Sequence, residues 1–524
     1  MEEKKARSDR RKNGFSRFIA FIYILAAAAF FYYVFKLDVV PAKYLYAGIG
    51  VIALITIFSL PAMVSKKGKK GRRAFATILS ILLIVCFGLG TYYLASTESF
   101  LDNITRRSVP TEEFHVLVRA DDMPDLSSGD SQEAAETSDD SDSEEADSKD
   151  KSKASGKLSD PSSDARAELA AQKIGGTTVG TFASNDQMYS KAKLMLQEKI
   201  SVEYSYDETA YAAVENLLYG YHDSILIPAA TYEAIQNEGA YDLQTNTAIL
   251  YTIKVPKETV DRTKGVNVTK QPFNIYISGT DQDGARSDVN MIATVNPVKH
   301  EVLLTSIPRD LYVELPSKES MDKLTHSSIY GMEETVAAAE KEFGIDINYY
   351  VRVNYSVVRN VVDAIGGIDV ESQYDFYTSG MGSLNGTHFV VGMNHMNGDQ
   401  ALAFCRERHS FVSGDMTRNE NQQAVLEAII KKATSSKEIL RSYTSILDAV
   451  AGNLETDMSS KDMSSLIKMQ LNSMPEWNIR KNAIKGDTGS DYCYSLGQYA
   501  SVVYAMPDEI TMAVDEIVKT QMND

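Results

Sequence analysis

The residues best suited to chemistry stand just after short, apolar, β-like runs. Phe273–Ser278 is followed by Gly279-Thr280-Asp281-Gln282-Asp283-Gly284-Ala285-Arg286-Ser287-Asp288, a glycine-containing loop with three carboxylates and one guanidinium. Glu301–Ile307 is followed by Pro308-Arg309-Asp310, and Lys323 comes soon after. Arg406 and Arg408 flank Glu407, while Asp415, Arg418 and Gln422 stand at the start of a strongly helical stretch. Arginine forks grip phosphate oxygens two at a time, and hard carboxylates suit magnesium or manganese. Together these groups point to a phosphate or pyrophosphate held with a divalent metal. Taken singly each has a plainer explanation: Arg309 with Asp310 as a surface ion pair, Asp281 with Asp283 as turn formers.

Spacing adds geometric expectations. Arg406 and Arg408 share a side only if the segment is extended, because in a helix they diverge by about 200°. Arg418 and Gln422, four apart, share a helix face, and Asp415 is placed to cap that helix, whose amino end favours an anion. No GxxxxGK[ST], HExxH or GxSxG signature occurs. The seven histidines are scattered, and His326, His395 and His409 read as packing or surface residues.

The elements that must position these groups are strands mixed with helices. Phe273, Ile275 and Ile277 alternate with polar residues, and Asn290–Val295 and Glu301–Ile307 are further β-rich runs. Helical periodicity marks Glu333–Phe343, Val357–Ile365 and Asn421–Ala433, with Gly366 and Gly367 turning the chain into the strand Ile368–Val370. This is the pattern of an α/β sandwich with a mixed central sheet, over 270–515. A smaller α/β accessory domain is expected over 184–258, from helical stretches at Lys191–Glu198 and Glu208–Leu218 and β-like runs at Ser224–Ile227 and Thr247–Lys254.

Composition is uneven along the chain. Three apolar runs, Phe18–Phe35, Tyr44–Val64 and Ala74–Leu94, each approach the roughly 20 residues needed to cross a bilayer, so 18–94 is read as three transmembrane helices after a basic tail, 1–17. Lys4, Lys5, Arg7, Arg10, Arg11, Lys12 and Arg17 precede the first run, and Lys66, Lys67, Lys69, Lys70, Arg72 and Arg73 separate the second from the third. Both clusters belong in the cytoplasm by the positive-inside rule, which puts everything after Leu94 outside. Residues 95–183 read as a linker, acidic and disordered from about 121. Between Asp121 and Asp164 stand 15 Asp or Glu and 4 Lys or Arg, a net charge of −11 out of −18 for the chain. A stretch this polar cannot bury enough surface to fold, so it is expected to be a tether. Three cysteines exclude a disulfide scaffold, although Cys405 and Cys493 would share the outer compartment as a pair or as two buried thiols.

The blocks ISGTDQDGARSDVN, LLTSIPRDLYVELP, DKLTH, DAIGGIDV, GDQALAFCRERH and GDMTRNENQQ, in that order over about Pro272 to Ala433, strongly resemble the LytR-CpsA-Psr family. The anchor and accessory domain resemble its capsule-assembly branch. The resemblance implies an extracytoplasmic phosphotransferase in a bacterial cell membrane. It would move a glycopolymer, such as capsular polysaccharide or teichoic acid, from a polyprenyl pyrophosphate to peptidoglycan through a phosphodiester. By the same resemblance Asp281 and Asp288 fall on metal-binding positions for magnesium or manganese. Arg286, Arg309, Lys323, Arg406, Arg408, Arg418 and Gln422 fall on pyrophosphate-binding positions, with Arg286, Arg309 and Asp415 catalytic and Asp415 the base. Two positions depart from the family pattern: Asp283 and Asn421 stand where relatives often have arginine. The partners implied are the lipid-linked glycan, peptidoglycan and the bilayer, with no nucleic acid. An apolar slot for the polyprenyl tail is expected among Val351, Val353, Val357, Val358, Val361 and Val362. The same pocket would also serve a regulatory protein that holds the lipid pyrophosphate without turnover, or a pyrophosphatase in which water replaces the sugar hydroxyl.

Overall fold

The computed structural model describes residues 2–65, 70–105, 111–123, 163–182, 184, 186–238, 241–256, 262–280, 286–379, 384–412, 414–435, 445–450 and 454–523. The three apolar runs are helices α1 (Glu2–Leu37), α2 (Ala42–Val64) and α3 (Lys70–Thr105). Within them Gly14–Leu37, Ala42–Val64 and Lys70–Leu101 are long and apolar enough to cross a membrane.

The accessory unit is a five-stranded sheet covered by helices. It comprises β1 (Thr111–Arg119), α4 (Ser163–Ile174), β2 (Thr178–Phe182), α5 (Gln187–Lys199), β3 (Glu203–Asp207), α6 (Ala210–Leu218), β4 (Ser224–Pro228), α7 (Ala229–Glu238), α8 (Leu243–Asn246) and β5 (Thr247–Pro256), in sheet order β3-β2-β4-β1-β5. In β1, Phe114, Val116 and Val118 are fully buried, as their period-2 spacing demands. The expected boundary at 184 is therefore corrected: the unit begins at Thr111. The acidic tract is corrected too, because the described residues on both sides of it lie in one sheet. The tract leaves and re-enters a single domain and is not the link to the membrane. Residues 124–162 themselves lie outside the described residues. Deleting Ser127–Ser162 should leave transfer by the membrane-bound chain nearly unchanged, in a side-by-side assay with the intact chain. A tenfold loss would show that the segment works in the site.

The larger domain, called the catalytic domain after the expectation from the sequence, is built on β6 (Phe273–Thr280), β7 (Ser287–Asn296), β8 (Glu301–Ile307), β9 (Tyr312–Leu315), β10 (Ser320–Lys323), α9 (Leu324–Ser327), α10 (Met332–Phe343), β11 (Tyr349–Asn354), α11 (Tyr355–Ala364) and β12 (Ile368–Ser372). It continues with β13 (Phe376–Tyr377), β14 (His388–Phe389), β15 (Gly392–Met396), α12 (Gly398–Arg406), α13 (Asp415–Ala433), β16 (Leu454–Thr456), the helix Ser460–Ser473, β17 (Asn478–Ala483), β18 (Gly486–Cys493), β19 (Gln498–Ala505) and the helix Pro507–Gln521. Its central sheet is mixed, in order β16-β11-β6-β7-β8-β17. On one face Val336 and Phe343 of α10 and Ala513 and Ile517 of the last helix pack on Tyr276, Ile292 and Leu303. On the other, Leu426 of α13 packs on Ala293, Val302 and Leu304. The α/β architecture expected from the sequence is present. Gly366 and Gly367 adopt φ of 74° and 83° between α11 and β12, which a side chain rarely tolerates. All three cysteines are free, with Cys405 and Cys493 buried, so the two thiols do not pair.

Polar contacts at two places help to tie the units together. Lys318, in the turn between β9 and β10, lies 3.0 Å from Glu112 of β1 and 2.6 Å from Asp186, all three side chains being at most 4% exposed. At the membrane end, Lys468 pairs with Asp38 at 2.6 Å, and Lys43 donates to the Asn472 carbonyl. The short loop between α1 and α2 thus lies on the same side as the catalytic domain.

Candidate functional site

The sheet sets the site. β6 and β11 are parallel and β7 is antiparallel to both β6 and β8, so β6, β8 and β11 end at one edge, where β7 begins. Ligand sites in α/β sheets gather at such carboxyl ends. Asp288 comes from the start of β7, Arg309 follows β8, and Tyr355 opens α11 directly after β11.

These groups meet in a cavity of about 230 Å³ lined by Asp288, Arg309, Tyr355, Ser379, Arg406, Arg408, His409 and Arg418. Four guanidinium groups thus converge on one space. Arg309 Nη1 donates to Asp288 Oδ1 at 2.7 Å, its Nε lies 3.6 Å from Asp310 Oδ2 and 4.0 Å from Asp415 Oδ1, and Arg418 Nη2 sits 2.7 Å from Asp415 Oδ1. Burial opposes the Arg309 charge, but Asp310, Asp288 and Asp415 outweigh it and hold its pKa above the ordinary value. Arg309 Nε and Arg418 Nε and Nη2 are nonetheless buried without a hydrogen-bond acceptor, the Arg418–Asp415 pair being close but poorly aligned. An unmatched buried donor costs about 1–3 kcal/mol, so these nitrogens favour an incoming anionic acceptor.

Arg406 and Arg408 reach the same cavity because the helix stops between them. α12 ends at Arg406 and Glu407 is extended, with φ −64° and ψ 130°. The cause is Glu407 itself, fully buried, whose carboxylate accepts from the backbone N–H groups of Ser379 (2.6 Å), His409 (2.7 Å) and Ser410 (3.0 Å). This inward turn was not legible in the residues, since an acid between two arginines looks like a surface ion pair. Replacing Glu407 with Ala should strand three backbone donors and release both arginines. Activity should fall by about 10- to 100-fold, mostly as a raised KM for an anionic substrate, and steady-state kinetics would show the split.

An apolar slot of about 80 Å³ adjoins the cavity across Tyr355. Its lining includes Ile277, Val289, Met291, Val353, Val358 and Leu426. Of the six valines expected there, Val353 and Val358 line it, while Val357, Val361 and Val362 are buried core residues. Tyr355 stacks on Arg406 at 5.3 Å, and burial, reinforced by Asp288, pushes its hydroxyl pKa up. The hydroxyl therefore stays protonated, a donor at the junction of charge and grease. Neither Tyr355 nor Ser379 was a sequence candidate, and His409, read as a packing or surface residue, stands in the cavity lining.

The other expected residues are distributed as follows. Lys323 stands behind the cavity with its Nζ 3.7 Å from Asp310 Oδ1. Gln422 lines the apolar slot, its amide donating to the Cys405 carbonyl at 3.3 Å while its oxygen has no partner. Arg286 immediately precedes β7 and is not among the cavity's lining residues. Asp415 does not cap α13: Gly414 holds the cap position, and Asp415 is the first helical residue, turned onto Arg418. Asp281 and Asp283 lie outside the described residues. Among the described residues no group of three or more His, Cys, Asp or Glu could hold a metal on its own, and Asp288 is the described carboxylate facing the cavity.

Comparison with known proteins bears on this site. A polyisoprenyl-teichoic acid–peptidoglycan teichoic acid transferase, TagU, of Bacillus mycoides is 34% identical over 260 residues, covering 48% of this chain and 83% of that protein. The TagU of Enterococcus faecalis is 36% identical over 219 residues, 40% of this chain and 70% of that protein. Among solved structures, Bacillus subtilis TagU is 27% identical and covers 49% of this chain and 99% of that one, with a TM-score of 0.37. The LytR_cpsA_psr family model matches residues 242–516, more than half of the 524 residues, and so the chain belongs to that family.

Proposed function

We propose that the protein transfers a glycopolymer from a polyprenyl pyrophosphate carrier to peptidoglycan, on the outer face of the membrane, forming a phosphodiester. The observation that carries this is the pairing of a four-arginine cavity, holding unmatched buried donors, with an apolar slot across Tyr355. A lipid pyrophosphate has that chemistry: two phosphates for the arginines and a hydrocarbon tail for the slot. The similar proteins named as teichoic acid transferases support the polymer class, with capsular polysaccharide the alternative cargo.

In the proposed reaction an acceptor sugar hydroxyl attacks the phosphorus bearing the glycopolymer. The new P–O bond forms as the pyrophosphate P–O bond breaks, polyprenyl phosphate leaves, and Asp415 takes the hydroxyl proton. Arg309, Arg406, Arg408 and Arg418 neutralise the charge that grows on the phosphate oxygens, with Lys323 and Gln422 behind them, and Arg286 is assigned to the same pyrophosphate by resemblance to the family. Positioning and neutralisation carry most of the rate of phosphoryl transfer. Magnesium is commonly held by one or two carboxylates plus substrate phosphates, and Asp288 facing the arginine cavity suits that donor set. Asp288, with Asp281 seven residues before it, would hold magnesium or manganese, which would supply further positive charge to the leaving phosphate.

The test is incubation of the purified chain with a lipid-pyrophosphate glycan, magnesium and peptidoglycan oligomers. Ligated product is expected. Free glycan phosphate alone would identify a pyrophosphatase, and bound but unaltered substrate a regulatory protein. Orientation has its own test: a reporter fused at Gly68 should be cytoplasmic, and reporters at Ala42 and beyond Leu94 extracytoplasmic.

A further inference from the structure

A second cavity, of about 390 Å³, opens where the membrane helices meet the catalytic domain, and it shares no lining residue with the arginine cavity. Lys36 and Asp38 at the end of α1, Glu98 near the end of α3, and Lys461 and Ser464 of the helix Ser460–Ser473 form its polar wall. Leu37 and Leu101 form its apolar side, within a cluster that includes Met463 and Ile467.

Its depth is fixed by the helices. Exposed Tyr32, Tyr92 and Tyr93 are the aromatic residues expected at a membrane interface. At about 1.5 Å per residue, Lys36 stands about 6 Å beyond Tyr32, and Glu98 about 9 Å beyond Tyr92. The polar layer of a bilayer extends about 5–7 Å beyond the hydrocarbon on each side. The cavity thus opens at headgroup level on the Lys36 side and reaches the outer margin of that layer at Glu98, with Leu37 and Leu101 on its apolar side.

Its charges select the ligand. Glu98 is paired with Lys36, and Asp38 with Lys468 at 2.6 Å, so both acids are matched. Lys461 is exposed and has no ion-pair partner among the described residues, so with Lys468, just outside the lining, set against Asp38, the cavity and its rim together carry one positive charge in excess. A ligand there gains by bringing a negative charge, hydroxyl acceptors for Ser464 and an apolar stem. We infer that this cavity binds the headgroup phosphate of an anionic glycerophospholipid from the surrounding leaflet. The bound lipid wedges between the membrane helices and the helix Ser460–Ser473 and holds the catalytic domain on the bilayer.

The experiment uses the full chain in nanodiscs of equal phosphatidylglycerol and phosphatidylcholine, followed by release into mild detergent and native mass spectrometry of retained lipid. The intact protein should retain phosphatidylglycerol over phosphatidylcholine by about tenfold, and Lys461→Glu should abolish the preference, with Lys461→Gln intermediate. Lys299→Glu, an equal charge change at an exposed site elsewhere on the catalytic domain, should keep it. Equal retention of the two lipids by the intact protein would overturn the inference, as would equal losses in Lys299→Glu and Lys461→Glu. Displacement of phosphatidylglycerol by an equimolar polyprenyl phosphate would reassign the cavity to the carrier. Transfer activity on a short-chain soluble substrate is independent of all these outcomes, so failure here leaves the proposed reaction standing.

Discussion

Arg309→Lys should lower transfer by about 10- to 1000-fold while the protein stays folded, because lysine keeps the charge but loses the planar fork. Arg309 is the pivot of the site: it donates to Asp288, faces Asp310 and Asp415, and keeps its buried Nε for an outside acceptor. Asp288→Ala should go further and abolish transfer, since it removes the carboxylate proposed to hold the metal and leaves Arg309 free to collapse onto Asp310. Isothermal titration with magnesium in the presence of a pyrophosphate analogue would separate the two effects. Binding should be weakened by Asp288→Ala and much less by Arg309→Lys. Near-normal turnover in both variants would remove these residues from the reaction.

The largest effect on stability is expected far from the chemistry, at Lys318. Burial opposes its charge, but Glu112 and Asp186 more than compensate, and its Nζ also sits 4.7 Å over the Tyr330 ring. Lys318→Met should destabilise the outer region by about 3–5 kcal/mol, because two buried carboxylates lose the cation they share. The triple variant Lys318→Met, Glu112→Gln, Asp186→Asn should recover most of that loss, since the cost lies in stranded charge and not in missing attraction. Chemical denaturation of the intact protein, the single variant and the triple variant measures this directly. A triple variant as unstable as the single one would show that Lys318 acts through packing alone.

Much of this architecture was legible in the residues, and what was not has specific causes. Phe273, Ile275 and Ile277 announced a strand through their spacing, and Arg309 and Arg418, singled out by residue type and position after predicted elements, line one cavity. The strand Thr111–Arg119 has the same alternation, yet it lies between a membrane helix and an acidic tract, and its partners, β4 and β5, come more than 100 residues later. Lys318 stands in a Pro-Ser-Lys-Glu turn that local rules place in water; a neighbouring domain buries it. Glu407 is buried by the backbone of Ser379, 28 residues away. In each case long-range packing reversed a local preference. Asp415 shows the opposite failure: its type suited a helix cap, but Gly414, at φ 35°, took the position and freed the carboxylate for Arg418.

The short passage from α3 to β1 has a consequence for the geometry of the cell wall. Thr105 ends the helix and Thr111 begins the strand, so the chain between them can span no more than about 20 Å at full extension. Height above the bilayer is then a property of the fold and not of a fluctuating polymer. Under the proposed function, enzyme and lipid-linked donor would share a plane and search for each other in two dimensions, whereas the wall acceptor would have to come down to them. Strands of peptidoglycan nearest the membrane, the newest ones, would be the natural recipients, and thickening the gap between wall and membrane should slow attachment even where donor and enzyme are plentiful.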